Sequence, residues 1–340
     1  MPAATPGLCL EYLPLPDGGA RLVRLYGETP CPVLPAAVDG RPLTELGPYC
    51  FAPAQRPGLM PPAGALRRWH APGPAPEAGL PPRIAGSFLE QLTLPECLRV
   101  IGEAAFYDCR KLTCLRFGRQ IGVVGSDAFT NTFALLHLQV CAAPGEATGL
   151  ARVLACLPGE LRAAFVGSEP ADDTAEPLAV LWYPEYWEDI EETPAHILLH
   201  TFSGRGYHYR QCFAAGAPAF AEYDAVLHQT GEGDAPATLA MLALERLRWP
   251  HALTRQAAEQ YRAWLAAADH AALCVGRLLK LQDTGGLRAL LALDVLDAAG
   301  LEQASALAAR AENAEAAALL AAALRQKRAV AKKRYDFDDF

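Results

Sequence analysis

The sequence lacks the patterns that mark disulfide-rich, membrane-spanning and secreted proteins. Its ten cysteines include no C-x-x-C pair, which argues against the common zinc-ribbon and redox motifs. No run of about 18 apolar residues is long enough to cross a bilayer, and the N-terminus has no basic segment followed by a long apolar run. We therefore expect a cytoplasmic protein with no membrane contact, whose thiols stay reduced and pack as small hydrophobic groups.

Common catalytic motifs are also missing. There is no P-loop, G-x-S-x-G or H-E-x-x-H motif, and Ser168 and Ser203 have no identifiable base beside them. "SGRG" has one G-x-G but not the third glycine and following helix of a dinucleotide site. The net charge of −8 argues against nucleic acid, since phosphate binding needs a basic surface. We expect no catalytic residue, no cofactor, no metal and no nucleic-acid partner.

The chain does contain an internal repeat. "LEQLTL", "LTCLRF" and "LLHLQV" begin 23 residues apart, and the pairs Phe106/Phe129 and Gly102/Gly125 share that offset. Alternation in L-x-L predicts a short strand with one buried face, and each glycine is expected to allow a turn. A period of 20–29 residues is typical of leucine-rich repeats. The expected core residues are Leu92, Leu94, Phe106, Leu115, Phe117, Phe129 and Leu138.

"LTLPECLRVIGEAAFYDCRKLTCLRF" resembles the BspA-type leucine-rich repeat, whose units read L-x-x-I-x-L-P and I-G-x-x-A-F-x-x-C-x-x-L. The resemblance implies stacked coils with Cys109 inside; Thr132 takes that place in the next unit. A less regular unit covers residues 20–51, where Leu46–Gly47 and Cys50–Phe51 replace I-G and A-F. The Pro/Gly-rich segment 52–86 interrupts the array, either as a decayed unit or as a disordered insertion.

The remaining chain changes character twice. After the repeats, "LARVLACL" predicts a helix, and "LRAAFV", "LAVLWY", "HILLHTF" and "GYHYRQCF" predict strands, with "SGRG" as a hairpin turn. From about residue 236, Ala and Leu recur at helical spacing, with Thr254, Asp283 and Asn313 as N-caps. The last helices resemble an ankyrin pair without its T-P-L-H signature.

The predicted fold class is therefore α+β multidomain. We expect BspA-type repeats at 10–140 with the insertion at 52–86, an α+β capping segment at 141–235, a degenerate ankyrin-like helical domain at 236–330 and a flexible tail at 331–340. The whole layout is also similar to uncharacterised cytoplasmic leucine-rich-repeat proteins of Clostridia-type bacteria. That resemblance includes "YPEYWEDIEETPAHI", "EYDAV" and "LERLRWPHALTRQAAEQYRAWL", and implies an interaction protein without catalytic residues.

The strands of the repeats predict a continuous exposed surface for an unidentified protein partner. Its residues alternate with the buried leucines, and Cys114 and Leu136 lie among them. A redox role is the alternative for Cys114. The predicted partner-binding residues are Glu90, Gln91, Thr93, Thr113, Arg116, His137 and Gln139. A non-catalytic adaptor or scaffold is the function this surface favours, with the helical domain as a second surface.

The alternative is an enzyme or metal site in the middle segment. His196, His200, His208 and Cys212 are all possible zinc ligands. If they lie on strands, residues four apart are about 13 Å apart along the chain, too far for one ion. The acidic run "YPEYWEDIEE" is expected to be a solvated helix or loop.

The C-terminal residues combine a basic run with aromatics. Arginines and lysines from Arg325 to Arg334 suit the end of a helix. Tyr335, Phe337 and Phe340 alternate with aspartates, and we expect them to form a linear motif captured by a separate protein. The alternative is that they dock on their own helical domain.

Overall fold

The computed structural model describes residues 4–54, 56–59, 61–72, 79–167, 176–192, 198–228, 235–267 and 269–335. The strands are β1 Cys9–Pro14, β2 Ala20–Tyr26, β3 Ala37–Val38, β4 Arg41–Leu46, β5 Arg67–His70, β6 Gln91–Thr93, β7 Val100–Ile101, β8 Cys114–Gly118, β9 Val123–Val124, β10 His137–Cys141, β11 Leu161–Val166, β12 Ala179–Tyr183, β13 Trp187–Glu192, β14 Leu198–Ser203, β15 Phe213–Ala214 and β16 Ala217–Pro218. The helices are α1 Leu150–Leu154, α2 Gly206–Gln211, α3 Phe220–Val226, α4 Pro236–Arg248, α5 Arg255–Ala266, α6 His270–Leu281, α7 Thr284–Ala292, α8 Ala298–Arg310 and α9 Ala314–Tyr335. The fold is thus α+β, with stacked strands followed by helices.

The chain divides into two compact units. One comprises Met1–Phe202 with Gly206–Ala219, and the other comprises Ser203–Arg205 with Phe220–Phe340. The first contains a sheet of order β5-β1-β2-β4-β7-β9, in which β3 also pairs with β4, and a sheet of order β6-β8-β10-β11-β12. The second unit is helical in its described part. The strands therefore lie in the first unit together with α1 and α2, apart from Ser203 at the end of β14, and helices α3 to α9 lie in the second.

The 23-residue repeat forms the stacked coils that the sequence predicts. Strands β6, β8 and β10 pair in parallel, and β4, β7 and β9 do the same in the other sheet. All seven predicted core side chains are buried. The rings of Phe51, Phe106 and Phe129 stack at centroid distances of 5.3 and 5.1 Å. The irregular unit ending at Phe51 therefore belongs to the same ladder.

The repeated glycines are needed for close approach of the coils. A Cβ atom on Gly102 would lie 2.7 Å from the carbonyl carbon of Gly47, and one on Gly125 would lie 2.5 Å from the backbone nitrogen of Glu103. Neither glycine has a positive φ. A turn does begin at Gly102, as the sequence predicts, because its carbonyl oxygen accepts a hydrogen bond from the Ala105 N–H at 3.3 Å. The absence of a side chain also lets successive backbones touch.

The left-handed residues also recur with the repeat. Ala104 and Asp127 have positive φ angles, as does Tyr49 at the matching place of the earlier unit. Asp108 and Asn131 form a second such pair, and the Asn131 side-chain amide donates to the Asp108 carboxylate at 2.9 Å. The coils therefore share a backbone course in addition to a hydrophobic pattern.

The parallel sheet continues beyond residue 140. Strand β11 pairs in parallel with β10, and β12 then pairs antiparallel with β11. The described part of the insertion 52–86 is ordered. Its strand β5 pairs antiparallel with β1 at the edge of the first sheet, so this part is not a repeat coil. In β11, Ala163 takes the place that Leu138 has in β10, and helix α1 precedes the strand. The alanine and the preceding helix explain why the 23-residue pattern is hard to see in the sequence after residue 140.

Two secondary-structure predictions for the middle segment were wrong. "GYHYRQCF" contains α2 and then the short strand β15, so "SGRG" leads into a helix and is not a hairpin turn. Gly206, Tyr209 and Arg210 are its buried residues, which is helical spacing. The acidic run forms strand β13 with all six residues exposed, not a helix or loop. It pairs with β14, which "HILLHTF" had predicted.

The six C-terminal helices follow the predicted segments closely. Helix α4 packs against α5, α6 and α7, and α8 packs against α6 and α9. Thr254, Asp283 and Asn313 each accept a hydrogen bond from a backbone N–H three residues on, as N-caps do. Helix α9 continues to Tyr335, so residues 331–335 are helical where a flexible tail was expected. Lysines, arginines and alanines sustain the helix there.

Candidate functional site

The outer face of the second sheet collects the predicted partner-binding residues in register. Gln91, Cys114 and His137 are successive Cα partners on β6, β8 and β10, and Arg162 on β11 continues that row. Thr93, Arg116 and Gln139 form the neighbouring row. We call these two rows the outer ladder. Parallel pairing of equal units places every second side chain on this face.

Exposure varies along the outer ladder and the residues beside it. Glu90, Gln91 and Thr113 are exposed, whereas Thr93, Cys114, Leu136, His137 and Gln139 are half-buried. Arg116 is only 8% exposed. The expectation of one fully exposed patch was therefore wrong for Arg116. Alternation along a strand sets which face a side chain takes, but not how much solvent that face meets.

Arg116 is a guanidinium in an unusual setting. Its Nε donates a hydrogen bond to the Cys141 Sγ at 3.2 Å. Among the residues that the structure describes, no carboxylate forms an ion pair with it. Buried cations are normally paired because desolvation of a charge is costly. The remaining donors of Arg116 therefore suit a carboxylate or carbonyl supplied from elsewhere.

His137 is held in its neutral form at physiological pH. Burial, with a contribution from the Arg162 guanidinium, lowers the pKa of His137 to about 4. Cys114 is its Cα partner, so nucleophile and base residue types are neighbours. A histidine with so low a pKa is a weak base, so His137 is poorly suited to take a proton from the Cys114 thiol.

The middle-segment residues do not assemble a metal site in the described part of the chain. His196 lies outside the described residues, and His200 lies in β14 but its side chain is likewise outside the description. His208 is exposed, and the buried Cys212 thiol donates to the His208 carbonyl at 3.3 Å. No described cluster of three His, Cys, Asp or Glu residues has metal-binding geometry. Because α2 is a helix, the strand-distance argument does not apply to His208 and Cys212.

Arg210 is the important residue in this segment that sequence reasoning missed. Its buried guanidinium donates to four backbone carbonyls at 2.5 to 3.1 Å, those of Leu157, Gly159, Pro184 and Gly206. It also lies 5.0 Å from the centroid of the Tyr186 ring. Arg210 therefore fastens α2 to the loop before β11 and to the end of β12. No motif in "GYHYRQCF" signals this role.

The helical unit has a buried polar cluster of its own. Arg246 is fully buried and donates to both carboxylate oxygens of Asp224, at 2.8 and 2.9 Å. The Tyr261 hydroxyl donates to the same carboxylate at 2.9 Å. These residues lie in the segments "EYDAV", "LERLRW" and "QYRAWL". The cluster holds α3, α4 and α5 together.

A groove of about 730 Å³ lies among α7, α8 and α9. Its cations are already engaged: Arg288 pairs with Glu315 at 3.0 Å, and Lys327 pairs with Asp294 at 3.1 Å. Leucines form much of the remaining wall, namely Leu291, Leu296, Leu301 and Leu319. The groove is therefore an apolar channel framed by internal ion pairs.

Comparison with known proteins identified no relative of this chain. No family model, curated protein or solved structure matched the chain significantly. Within the described residues, no helix is long and apolar enough to cross a membrane.

The predicted tail motif lies mostly beyond the described residues. Tyr335 is the last residue of α9, and nothing is described of its side chain. Phe337 and Phe340 lie outside the described residues. The proposal that these aromatics form a captured motif stays a prediction.

Proposed function

We propose that the chain is a non-catalytic adaptor that recognises a protein through the outer ladder. The observation that carries the proposal is the register of Gln91, Cys114, His137 and Arg162 across four parallel strands. A row of this kind presents side chains at a regular spacing of about 4.8 Å along a continuous surface, and repeat proteins bind partners through such surfaces.

The chemistry of the outer ladder favours a partner that supplies acceptors. Arg116 brings donors, and Gln91 and Gln139 can both donate and accept. The Arg116 guanidinium, nine-tenths buried and without a carboxylate among the described residues, gains most from a partner carboxylate. At the edge, the exposed Gln91 suits the polar rim of an interface.

The finer assignments of the fold also remain proposals. We assign the stacked strands to BspA-type leucine-rich repeats, because the I-G and A-F positions recur as close-packed glycines and stacked phenylalanines. We assign the C-terminal helices to a degenerate ankyrin-like array, which the packing of α8 on α9 supports. The cytoplasmic location, the absence of catalysis and the absence of a nucleic-acid partner stay predictions.

Affinity capture from the native host tests the proposed function. The ladder variant Gln91→Arg/Thr113→Arg changes two exposed positions at the edge of the outer face. The control variant Gln120→Arg/Ser126→Arg adds the same charge at two exposed positions elsewhere on the repeats. We expect a partner that the wild-type and control proteins retain and the ladder variant loses. Equal recovery of every partner by all three proteins would contradict the proposal.

A further inference from the structure

The pair of strands β13 and β14 exposes more large apolar side chains than any other described element of the chain. We call this pair the acidic hairpin. Trp187 and Ile190 on β13 are 51% and 59% exposed, and Leu198, Leu199 and Phe202 on β14 are exposed as well. Five exposed large apolar side chains on one pair of strands exceed the scattered single residues that are normal on a surface, and such a concentration indicates an interaction site.

Among the described residues, aromatic contacts hold the hairpin at the end where β13 begins and β14 ends. The Phe202 and Tyr207 rings stack at a centroid distance of 3.9 Å, and Tyr186 meets Tyr207 at 5.9 Å. Beyond this aromatic base, all six residues of β13 are exposed. Within the described residues, β13 and β14 pair only with each other. A two-stranded hairpin is marginally stable in water, so a third strand would add substantially to its stability.

The charges on β13 indicate which third strand fits. Trp187, Asp189 and Glu191 share one face of the strand because successive side chains alternate. Glu188 and Glu192 flank Ile190 on the other face. Neither Asp189 nor Glu191 forms an ion pair with a described residue. The face of β13 that carries Trp187 therefore offers one large apolar side chain and the two carboxylates of Asp189 and Glu191.

We propose that β13 binds an extended basic segment of a partner protein, which adds to the acidic hairpin as a third strand. Its backbone pairs with the open edge of β13, and its lysine or arginine side chains lie opposite Asp189 and Glu191. Cross-strand pairs of opposite charge stabilise such an edge, whereas like charges destabilise it. Addition of a strand to an exposed sheet edge is an established mode of peptide recognition.

This surface is separate from the outer ladder, and the two differ in charge preference. The outer ladder favours acceptors, whereas the acidic hairpin favours cations. Failure of one proposal therefore leaves the other standing. The variants that test them share no residue.

Binding of synthetic peptides to the full-length protein tests the proposal. The probe is fluorescein-labelled Lys-Val-Lys-Val-Lys-Val-Lys, compared by fluorescence anisotropy with its Glu-Val counterpart. A third peptide keeps the lysines but carries N-methyl groups at alternate backbone nitrogens, which prevents pairing with a strand edge. We expect binding of the first peptide, no binding of the second and at least tenfold weaker binding of the third.

Matched variants locate the binding. Asp189→Asn/Glu191→Gln removes two charges with little change of shape and should weaken the lysine peptide about tenfold. Trp187→Ala should weaken it comparably. Glu222→Gln/Glu312→Gln removes two exposed charges elsewhere and should bind as the wild type does. Sedimentation measures whether the protein is monomeric under the same conditions.

Four results would overturn the proposal. Equal binding of the N-methylated peptide would show charge attraction without strand addition. Equal binding to the Asp189→Asn/Glu191→Gln variant would place the peptide elsewhere. A dimer that Trp187→Ala dissociates would show that a second copy occupies the hairpin. Absence of binding at millimolar lysine peptide would also end the idea.

Discussion

Arg246 and Asp224 form a two-pronged ion pair inside the helical unit, with the Tyr261 hydroxyl on the same carboxylate. Removal of one partner leaves a buried charge uncompensated. Asp224→Asn should therefore lower the free energy of unfolding by about 3–5 kcal/mol. Glu259→Gln breaks an exposed ion pair with Arg255 and should change it by less than about 0.5 kcal/mol. Urea unfolding measures both, and equal midpoints would refute the structural role.

The stacked phenylalanines predict a large cost for a core truncation. Phe106 is fully buried between Phe51 and Phe129. Phe106→Ala should destabilise the protein by about 3–5 kcal/mol. Phe133 is 82% exposed in the same array, and Phe133→Ala should cost less than about 0.5 kcal/mol. If the two variants unfold at the same urea concentration, the ladder is not the core of the repeats.

His137 predicts a loss of stability on acidification. Its folded pKa of about 4 lies below the unfolded value of about 6.5, so the unfolded chain takes up the proton first as the pH falls. The free energy of unfolding is therefore unaffected by the titration of His137 above a pH of about 6.5. It falls progressively as the pH drops toward about 4, by about 2–3 kcal/mol in total. His137→Gln cannot titrate and should flatten this part of the pH profile. Parallel profiles for the two proteins would show that His137 is not buried as described.

Arg210 predicts a local effect in the first unit. Lysine has the charge but not the planar fork that reaches four carbonyl oxygens. Arg210→Lys should therefore speed amide hydrogen exchange at α2 and at residues 157–159. Arg110→Lys, at an exposed arginine on the repeats, is the control and should leave exchange unchanged. Unchanged exchange in both variants would mean that the hydrogen bonds of Arg210 add little.

The repeat array was predictable because the same 23-residue pattern recurs in successive units of the sequence. Leu92, Leu115 and Leu138 recur at one offset, so the strands, the buried face and the register of the outer ladder all follow from the sequence. Strand β11 carries Ala163 and Ala164 and a different spacing, and its membership of the sheet did not follow. The sequence indicated that Phe51 joins the ring stack only because Cys50–Phe51 stands where A-F stands in the later units.

The burial of polar side chains could not be predicted from the sequence. Alternation places Arg116 on the outer face but cannot show that it is nine-tenths buried. Tyr207 and Tyr209 favour strand, yet "GYHYRQ" is a helix because Arg210 finds its carbonyl partners there. The cluster of Asp224, Arg246 and Tyr261 joins residues far apart in the chain. Each of these features depends on tertiary contacts that no local pattern encodes.

The reversed direction of β12 affects whether molecules of this protein can stack end to end at high concentration. Repeat arrays with matching ends can join coil upon coil into open-ended fibres. Coil-on-coil stacking needs an end strand that runs in the direction of the coils and repeats their side-chain pattern. Strand β12 runs opposite to β11 and carries none of the repeated I-G and A-F positions. This end of the sheet therefore does not reproduce the surface that one coil presents to the next.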